Sequence, residues 1–150
     1  MRIAIGSDEA GYELKEVIKD FLLSKEIELV DKGCYDLNPV CYPDIAVAVA
    51  EEIRRGDAAR GILICGTGIG MEIAANKVPG IRAAVCHDPF STERSRKSNN
   101  AQVMCLGARV VAPQMAVYLV DLWLKCEFSY GNSTAKVERI SHYEHQYREG

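Results

Sequence analysis

The chain has 150 residues, a length typical of one domain, and 48% of them are apolar, enough for a core without metal or disulfides. Its formal charge of −3, with both signs scattered along the chain, excludes the broad basic surface of a nucleic-acid binder. No apolar run approaches the roughly 18 residues of a membrane span, and the start of the sequence turns acidic before a signal-peptide core could form. We therefore expect a cytoplasmic protein with neither a nucleic-acid nor a membrane partner.

Apolar periodicity predicts five short strands that alternate with helices. The strands are predicted at residues 2–6, 27–31, 61–65, 82–86 and 102–106. The intervening helices are predicted at residues 14–22, 43–56, 70–77 and 90–97. This alternation is typical of an α/β protein with an open parallel sheet. Because the sequence shows no linker or repeat, we assign residues 1–150 to a single domain.

Two further helices are predicted after the last strand, at residues 113–125 and 134–147. The first is apolar on nearly every side, which predicts a second packing surface. The last carries a thin apolar stripe on an otherwise charged helix, and we interpret it as a C-terminal arm that docks on a neighbouring subunit. We therefore expect an oligomer whose minimal unit is a dimer.

The loop after the third strand carries the strongest local signal of a ligand site. Ligands of open α/β sheets bind beyond the carboxyl ends of the strands, near a reversal of strand order. In this loop Gly66, Gly68 and Gly70 alternate with Thr67 and Ile69. Glycines at alternate positions let amide N–H groups converge, which is typical of a site for a phosphate, a carboxylate or an enediolate. The loop matches neither the dinucleotide fingerprint nor the NTPase phosphate loop.

Six cysteines occur, with no spacing typical of a zinc site or of secreted disulfides, so no metal site is predicted. Most are expected to pack as small hydrophobes. Cys65 differs because it stands at the mouth of the glycine loop, where amide dipoles favour a thiolate that can act as base or nucleophile. The local sequence leaves open whether Cys65 is reactive or only packs beneath the glycines. It also leaves open whether Asp8 binds a polyol or caps the helix that begins near Gly11.

Six segments spread over essentially the whole chain carry a family resemblance. They are CGTGIG at residues 65–70, AANKVPGIR at 74–82, GSD at 6–8, YPD at 42–44, NNA at 99–101 and GARVV at 107–111. Together they resemble the type B ribose-5-phosphate isomerases, whose superfamily includes the galactose-6-phosphate isomerase subunits.

The resemblance implies a Rossmann-like, three-layer fold and a homodimer or homotetramer with its sites at the subunit interface. It also implies interconversion of an aldose and a ketose of a phosphorylated sugar through an enediolate, without metal or cofactor. Cys65 is expected to move the proton between C1 and C2, and the Thr67 hydroxyl to assist at the oxyanion. The other implied substrate contacts are the amides of Gly66, Gly68, Ile69 and Gly70, the side chains of Asp8 and Tyr42, and Asn99 of the partner subunit.

The chain departs from the family pattern in its substrate-recognition residues. Glu9 stands where a histidine is usual, and Ser98 replaces the histidine that opens the sugar ring. Asn132 and Lys136 replace two phosphate-binding arginines, and a lysine binds as a point charge rather than as a fork. We therefore expect an isomerase whose substrate need not be ribose 5-phosphate, since a short sugar phosphate that cannot cyclise needs no ring-opening residue. The remaining candidates for the phosphate are Arg109, Lys97 and Lys136.

Three alternatives stay open from the sequence. The substrate could be a tetrose phosphate or a hexose 6-phosphate. The chain could also be a sugar-phosphate-binding subunit that has lost turnover. A flavodoxin-like nucleotide binder is supported only by analogy of fold, which says little about function.

Overall fold

The computed structural model describes residues 1–149 and is built around a five-stranded sheet in which every neighbouring pair is parallel. The order of the strands across the sheet is β2-β1-β3-β5-β4. This confirms the predicted α/β architecture, although β4 is shorter than predicted. The strands are β1 (Arg2–Ser7), β2 (Glu28–Asp31), β3 (Arg60–Cys65), β4 (Ala83–Val85) and β5 (Val103–Gly107).

Helices cover both faces of the sheet and complete the predicted three-layer, Rossmann-like arrangement. The helices are α1 (Tyr12–Ser24), α2 (Tyr42–Arg54), α3 (Ile69–Ala75), α4 (Pro89–Lys97), α5 (Pro113–Leu124) and α6 (Thr134–Glu149). Buried residues of α1 and α5 form one apolar cluster with the sheet, and those of α2 and α3 form a second cluster on the opposite face. Among residues 1–149, no helix is both long and apolar enough to cross a membrane.

Alternation along β3 decides which face each of its side chains occupies. Ile62 and Ile64 belong to the cluster under α1 and α5, whereas Leu63 and Cys65 belong to the cluster under α2 and α3. Both faces are buried, which explains why this strand has an unbroken apolar run after its first two residues. The alternation therefore places the Cys65 side chain on the α2–α3 side, at the last position of the strand.

The strand order reverses between β1 and β3, and this opens a crevice. β2 pairs with one edge of β1, and β3 pairs with the other. The helix that follows β1 covers one face of the sheet, whereas the helix that follows β3 covers the opposite face. The two loops consequently diverge just beyond the point where the Asp8 amide donates to the Ile64 carbonyl at 3.2 Å. Open α/β sheets bind their ligands at such a reversal.

The C-terminal helix α6 runs along the edge of the sheet where the strands begin. Glu144 accepts a hydrogen bond from the Gly80 amide, and Arg148 donates to the Lys77 carbonyl. The helix buries Val137 but leaves Ile140 about half exposed. Docking of this helix on a neighbouring subunit stays a prediction.

Helix α1 buries a lysine that the apolar stripe did not predict. The Lys15 side chain is fully buried, and its ammonium donates to both carboxylate oxygens of Asp31, at 2.9 and 3.0 Å, and to the Cys34 carbonyl. Lys19 donates to the same carboxylate at 2.8 Å. Burial favours protonation of Asp31, but the hydrogen bonds from Lys19 and Lys15 outweigh it, so the pKa of Asp31 lies below its usual 3.8. This cluster ties α1 to the end of β2.

We predict that Asp31→Asn lowers the free energy of unfolding by about 3 kcal/mol at pH 7, because the buried Lys15 ammonium loses its counter-charge. The folded pKa of Asp31 is depressed, so its stabilisation is present above pH 3.8 and is lost as the pH falls through the folded value. Urea unfolding at pH 7 and across the acidic range checks the size of the effect and its pH dependence. The difference between wild type and variant should shrink in acid.

Asp8, which directly follows the neighbouring β1, provides a matched control, because its pKa is shifted in the direction opposite to that of Asp31. Burial raises the pKa of Asp8, and the hydrogen bond from the Gly11 amide only partly opposes this. Folding therefore loses stability as the pH rises through the folded pKa of Asp8. Asp8→Asn is expected to be at least as stable as wild type at pH 7. Equal destabilisation by the two substitutions, or a fully stable Asp31→Asn variant, contradicts this account.

Candidate active site

An open cavity of about 260 Å³ lies in the crevice between the ends of β1 and β3. Its walls come from the loops after β1, β3 and β5 and from the first residue of α2. Every lining residue is one that the sequence or the family resemblance singled out. The lining residues are Asp8, Tyr42, Cys65, Gly66, Thr67, Gly70 and Arg109.

Cys65 ends β3 with its thiol at the cavity wall. Its side chain is mostly buried among apolar residues of the α2–α3 face, yet it lines the cavity. The Gly68 amide donates to the sulfur at 3.1 Å. Gly68 has a left-handed backbone (φ +80°), which glycine adopts readily. The sulfur therefore accepts a backbone hydrogen bond at the wall of the cavity, at the position where the sequence analysis expects a base.

The remainder of the glycine loop forms the cavity wall beside Tyr42. A methyl group added at Gly70 would lie 2.5 Å from a carbon of the Tyr42 ring, so only glycine lets the ring close over the loop. The exposed Thr67 hydroxyl accepts a hydrogen bond from the Ile69 amide at 3.3 Å. That amide is therefore occupied, and the Ile69 side chain is more than half exposed. Ile69 does not line the cavity within this chain.

Asp8 and Arg109 bring opposite charges to the cavity. Asp8 accepts a hydrogen bond from the Gly11 amide at 3.0 Å and also lines the cavity, so it both supports the start of α1 and remains available to a ligand. A methyl group added at Gly66 would lie 3.4 Å from Arg109 Nη1, which places the guanidinium over the glycine loop. The cavity can therefore hold hydroxyl groups at Asp8 and an anion at Arg109.

Six predicted site residues do not line this cavity within the chain: Gly68 and Ile69 of the glycine loop, and four residues elsewhere. Glu9 is turned toward the loop before α2, where it accepts a hydrogen bond from the Val40 amide at 3.1 Å. Ser98 and Asn99 follow α4 and precede β5, so they lie at the edge where the strands begin. From Val103 to Gly107, β5 rises by roughly 3.3 Å per residue, so its length separates that edge from the cavity by about 13 Å. Lys136, near the start of α6, is exposed on the same side.

Ser98 and Lys136 cannot reach the Cys65 cavity of their own chain, because the length of the sheet lies between them. They can contribute to a site only from a second copy, as the resemblance already implied for Asn99. Their part in substrate binding stays a prediction.

His87 is a residue near the cavity to which the sequence assigned no role. Its Nε2 accepts a hydrogen bond from the Gly107 amide at 2.8 Å. Burial lowers the pKa of His87 and outweighs the opposing effect of Asp88. Gly107 in turn lies against the loop, since a methyl group there would come within 2.7 Å of the Thr67 carbonyl carbon. The sequence could have indicated His87 as a candidate site residue, because it directly follows a predicted strand, β4, which lies beside β5.

Two larger clefts lie elsewhere, but neither brings a thiol and a carboxylate together. One, of about 310 Å³, lies between α1 and the start of α5. The other, of about 370 Å³, lies between α6 and the end of α3. Within the part of the chain that the structure describes, no group of three His, Cys, Asp or Glu side chains is placed to hold a metal ion. The smaller cavity is therefore the candidate active site.

Comparison with known proteins identifies the family. The family model described as Ribose/Galactose Isomerase matches residues 3–140. The D-erythrulose-4-phosphate isomerase of Pectobacterium atrosepticum is 53% identical over 149 residues, 97% of each chain. Ribose-5-P isomerase B of Listeria innocua is 55% identical over 138 residues, which cover 92% of this chain and 93% of that protein.

A solved structure agrees over nearly the whole length. Ribose-5-phosphate isomerase B of Clostridium thermocellum superposes with a TM-score of 0.97 at 48% identity, covering 98% of this chain and 99% of that chain. The likeness thus includes both the crevice between β1 and β3 and the C-terminal helix. The chain belongs to the ribose/galactose isomerase family.

Proposed function

We propose that this protein is an aldose–ketose isomerase that converts a phosphorylated sugar through an enediolate, with Cys65 as the base. The observation that carries the proposal is that Cys65 lines one cavity together with Asp8, Thr67 and Arg109. A carboxylate suits sugar hydroxyls, a guanidinium suits a phosphate, and a thiolate suits proton removal beside a carbonyl. The sugar-phosphate isomerase activities named for the two bacterial relatives support the same chemistry.

The reaction is a proton transfer that needs no oxidant. The Cys65 thiolate removes the proton from C2 of the aldose, and the electrons of that bond form the C1–C2 double bond of the enediolate while charge moves to O1. The proton on sulfur then returns to C1, and the proton of the C2 hydroxyl passes to O1, which leaves the ketose. We expect the Thr67 hydroxyl to face the developing oxyanion together with the loop amides other than those of Gly68 and Ile69, which bind the Cys65 sulfur and the Thr67 hydroxyl. Each such donor typically contributes about 2.7–4 kcal/mol.

A second copy is proposed to complete the site. The Cys65 cavity provides the proton-transfer groups, whereas Asn99 and Lys136 lie exposed at the opposite edge of the sheet. Two copies that place the end of one sheet against the start of the other would bring these groups together. Lys136 would then add a positive charge for the phosphate, beside Arg109. We therefore propose a homodimer, or a dimer of dimers, with its sites between subunits.

We propose a four-carbon sugar phosphate as the preferred substrate. In an aldotetrose 4-phosphate the O4 atom is esterified, so the sugar cannot close a five-membered ring, whereas ribose 5-phosphate can. Ser98 cannot act as the acid and base that ring opening requires, which matters only for the cyclic sugar. The name of the Pectobacterium relative, at 53% identity, supports a tetrose substrate. Ribose 5-phosphate is the second candidate, because the Listeria relative bears that name at 55% identity.

We further propose that residues 1–150 act as one isomerase domain in the cytoplasm. The family match over residues 3–140 and the two-sided core around one sheet support a single domain. All six cysteines are free, which is usual for proteins of a reducing compartment.

The first test is Cys65→Ala, which we expect to lower kcat by about 10³-fold, because the base is lost while the rest of the cavity remains. Cys105→Ala is the matched control: this thiol is also buried in the α2–α3 cluster, on the adjacent strand, but does not line the cavity. The control should fold and retain turnover. An active Cys65→Ala variant excludes Cys65 as the base.

Mixing two inactive variants tests the shared site. Cys65→Ala and Asn99→Ala homodimers are each expected to be inactive, but a mixed dimer holds one site with both native residues. Random exchange of subunits makes half of the dimers mixed, so about a quarter of wild-type activity should return. If activity stays absent after verified exchange, or if Asn99→Ala alone is fully active, the proposed contribution of Asn99 is wrong.

The substrate is tested by assaying four-, five- and six-carbon aldose phosphates side by side with wild type and Ser98→His. We expect wild type to prefer the tetrose phosphate. Ser98→His should raise kcat/KM for ribose 5-phosphate by at least about tenfold and leave that for the tetrose nearly unchanged, because only the cyclic sugar needs opening. A wild-type preference for ribose 5-phosphate contradicts the tetrose assignment but leaves the isomerase assignment intact.

A further inference from the structure

His87 holds a backbone amide beside the cavity and takes no part in the reaction described above. Its Nε2 accepts from the Gly107 amide at 2.8 Å. An amide can donate only to an unprotonated ring nitrogen, so the imidazole is neutral and carries its proton on Nδ1. Burial, which lowers the pKa of His87, favours this form. The imidazole therefore serves as a fixed acceptor at the end of β4.

Gly107 is the point from which the turn after β5 starts toward the cavity. On the β3 side, the Ala108 amide donates to the Cys65 carbonyl at 2.8 Å, and the Arg109 amide donates to the Gly66 carbonyl at 3.0 Å. On the β4 side, the hydrogen bond to His87 fastens the same turn. The turn is therefore held from both neighbouring strands, two residues before the guanidinium that lines the cavity.

We propose that His87 is a positioning residue, which fixes the turn at Gly107 and thereby orients Arg109 toward the substrate phosphate. The inference rests on the proposed function, in which Arg109 binds that phosphate. Gly107 is buried, so its amide would have no acceptor if the imidazole were removed, and the turn would shift to expose the amide to water. Such a shift moves Arg109 away from the cavity.

A substitution at the neighbouring Asp88 distinguishes this positioning role from simple support of the fold. Asp88 accepts a hydrogen bond from the Ser91 amide at 2.7 Å and thereby caps α4. Asp88→Ala removes the cap from the same segment without touching Gly107, so it destabilises the segment but leaves the turn in place. A purely structural role for His87 predicts that substitutions at residues 87 and 88 behave alike.

The test is steady-state kinetics with the sugar phosphate that wild type converts fastest. His87→Leu is expected to raise KM by about tenfold or more and to change kcat by less than about threefold, because the substitution weakens binding of the phosphate rather than the proton transfer. In His87→Gln the side-chain oxygen stands as many bonds from Cβ as Nε2 does, so it can accept from Gly107 and should restore KM to within about threefold of wild type. Asp88→Ala should lower Tm and leave KM unchanged.

A double-mutant cycle tests whether the effect of His87 on KM depends on Arg109. If His87 acts through that guanidinium, His87→Leu should change KM less than about twofold once Arg109→Met is present. Where His87→Leu does not fold, His87→Asn serves instead, because its amide is one bond too short to reach Gly107. Three results would overturn the inference: a wild-type KM in His87→Leu or His87→Asn, failure of His87→Gln to restore KM, or additive effects of the two substitutions on KM in the cycle.

The failure of this inference can be distinguished from the failure of the proposed function. If wild type converts no sugar phosphate, both are rejected. If wild type is active and one of these three results is found, only the inference is rejected.

Discussion

The site depends on the separation of β1 and β3 at their carboxyl ends. The two strands stay paired until the Asp8 amide meets the Ile64 carbonyl, and the chain then leaves them toward opposite faces of the sheet. Cys65 is the last residue before this separation, which is why its thiol is packed on one side and faces the cavity on the other. The cavity is therefore a consequence of strand order, and the glycine loop forms one of its walls.

The five strands and the helices that cover them could be predicted because both faces of the sheet are buried, which produces apolar runs for strands and stripes for helices. Lys15 shows where such reasoning stops. A lysine next to an apolar stripe is expected to be exposed to solvent. The full burial of Lys15 depends on Asp31 and the Cys34 carbonyl, which the end of β2 and the loop after it supply. Conversely, Val17 is an apolar residue of the helix predicted at residues 14–22, yet it is partly exposed in the cleft between α1 and the start of α5.

The candidate site was predictable where it is local in sequence. The glycine loop, Cys65 and Asp8 follow directly from strand ends, and the motif around Tyr42 came from the family resemblance. The distance from this cavity to Ser98 could have been predicted, because Ser98 precedes a predicted parallel strand and so lies at the opposite edge of the sheet. The distance to Lys136 was not predictable, because it depends on the direction in which α6 runs across the finished fold. The role of His87 was equally hidden. A histidine between two strands acquires an acceptor role only when β4 and β5, which are separated by α4 in the chain, become neighbours.

The central claim is that a proton leaves carbon for the Cys65 sulfur and returns by way of an enediolate. The most direct measurement is deuterium incorporation from D₂O into recovered substrate and product, followed by mass spectrometry and NMR. Wild type is predicted to place solvent deuterium at C1 of the ketose and at C2 of the recovered aldose, whereas Cys65→Ala should incorporate it about 10³-fold more slowly. Turnover by wild type with no deuterium in either sugar after prolonged incubation, or incorporation by Cys65→Ala at the wild-type rate, would contradict the account.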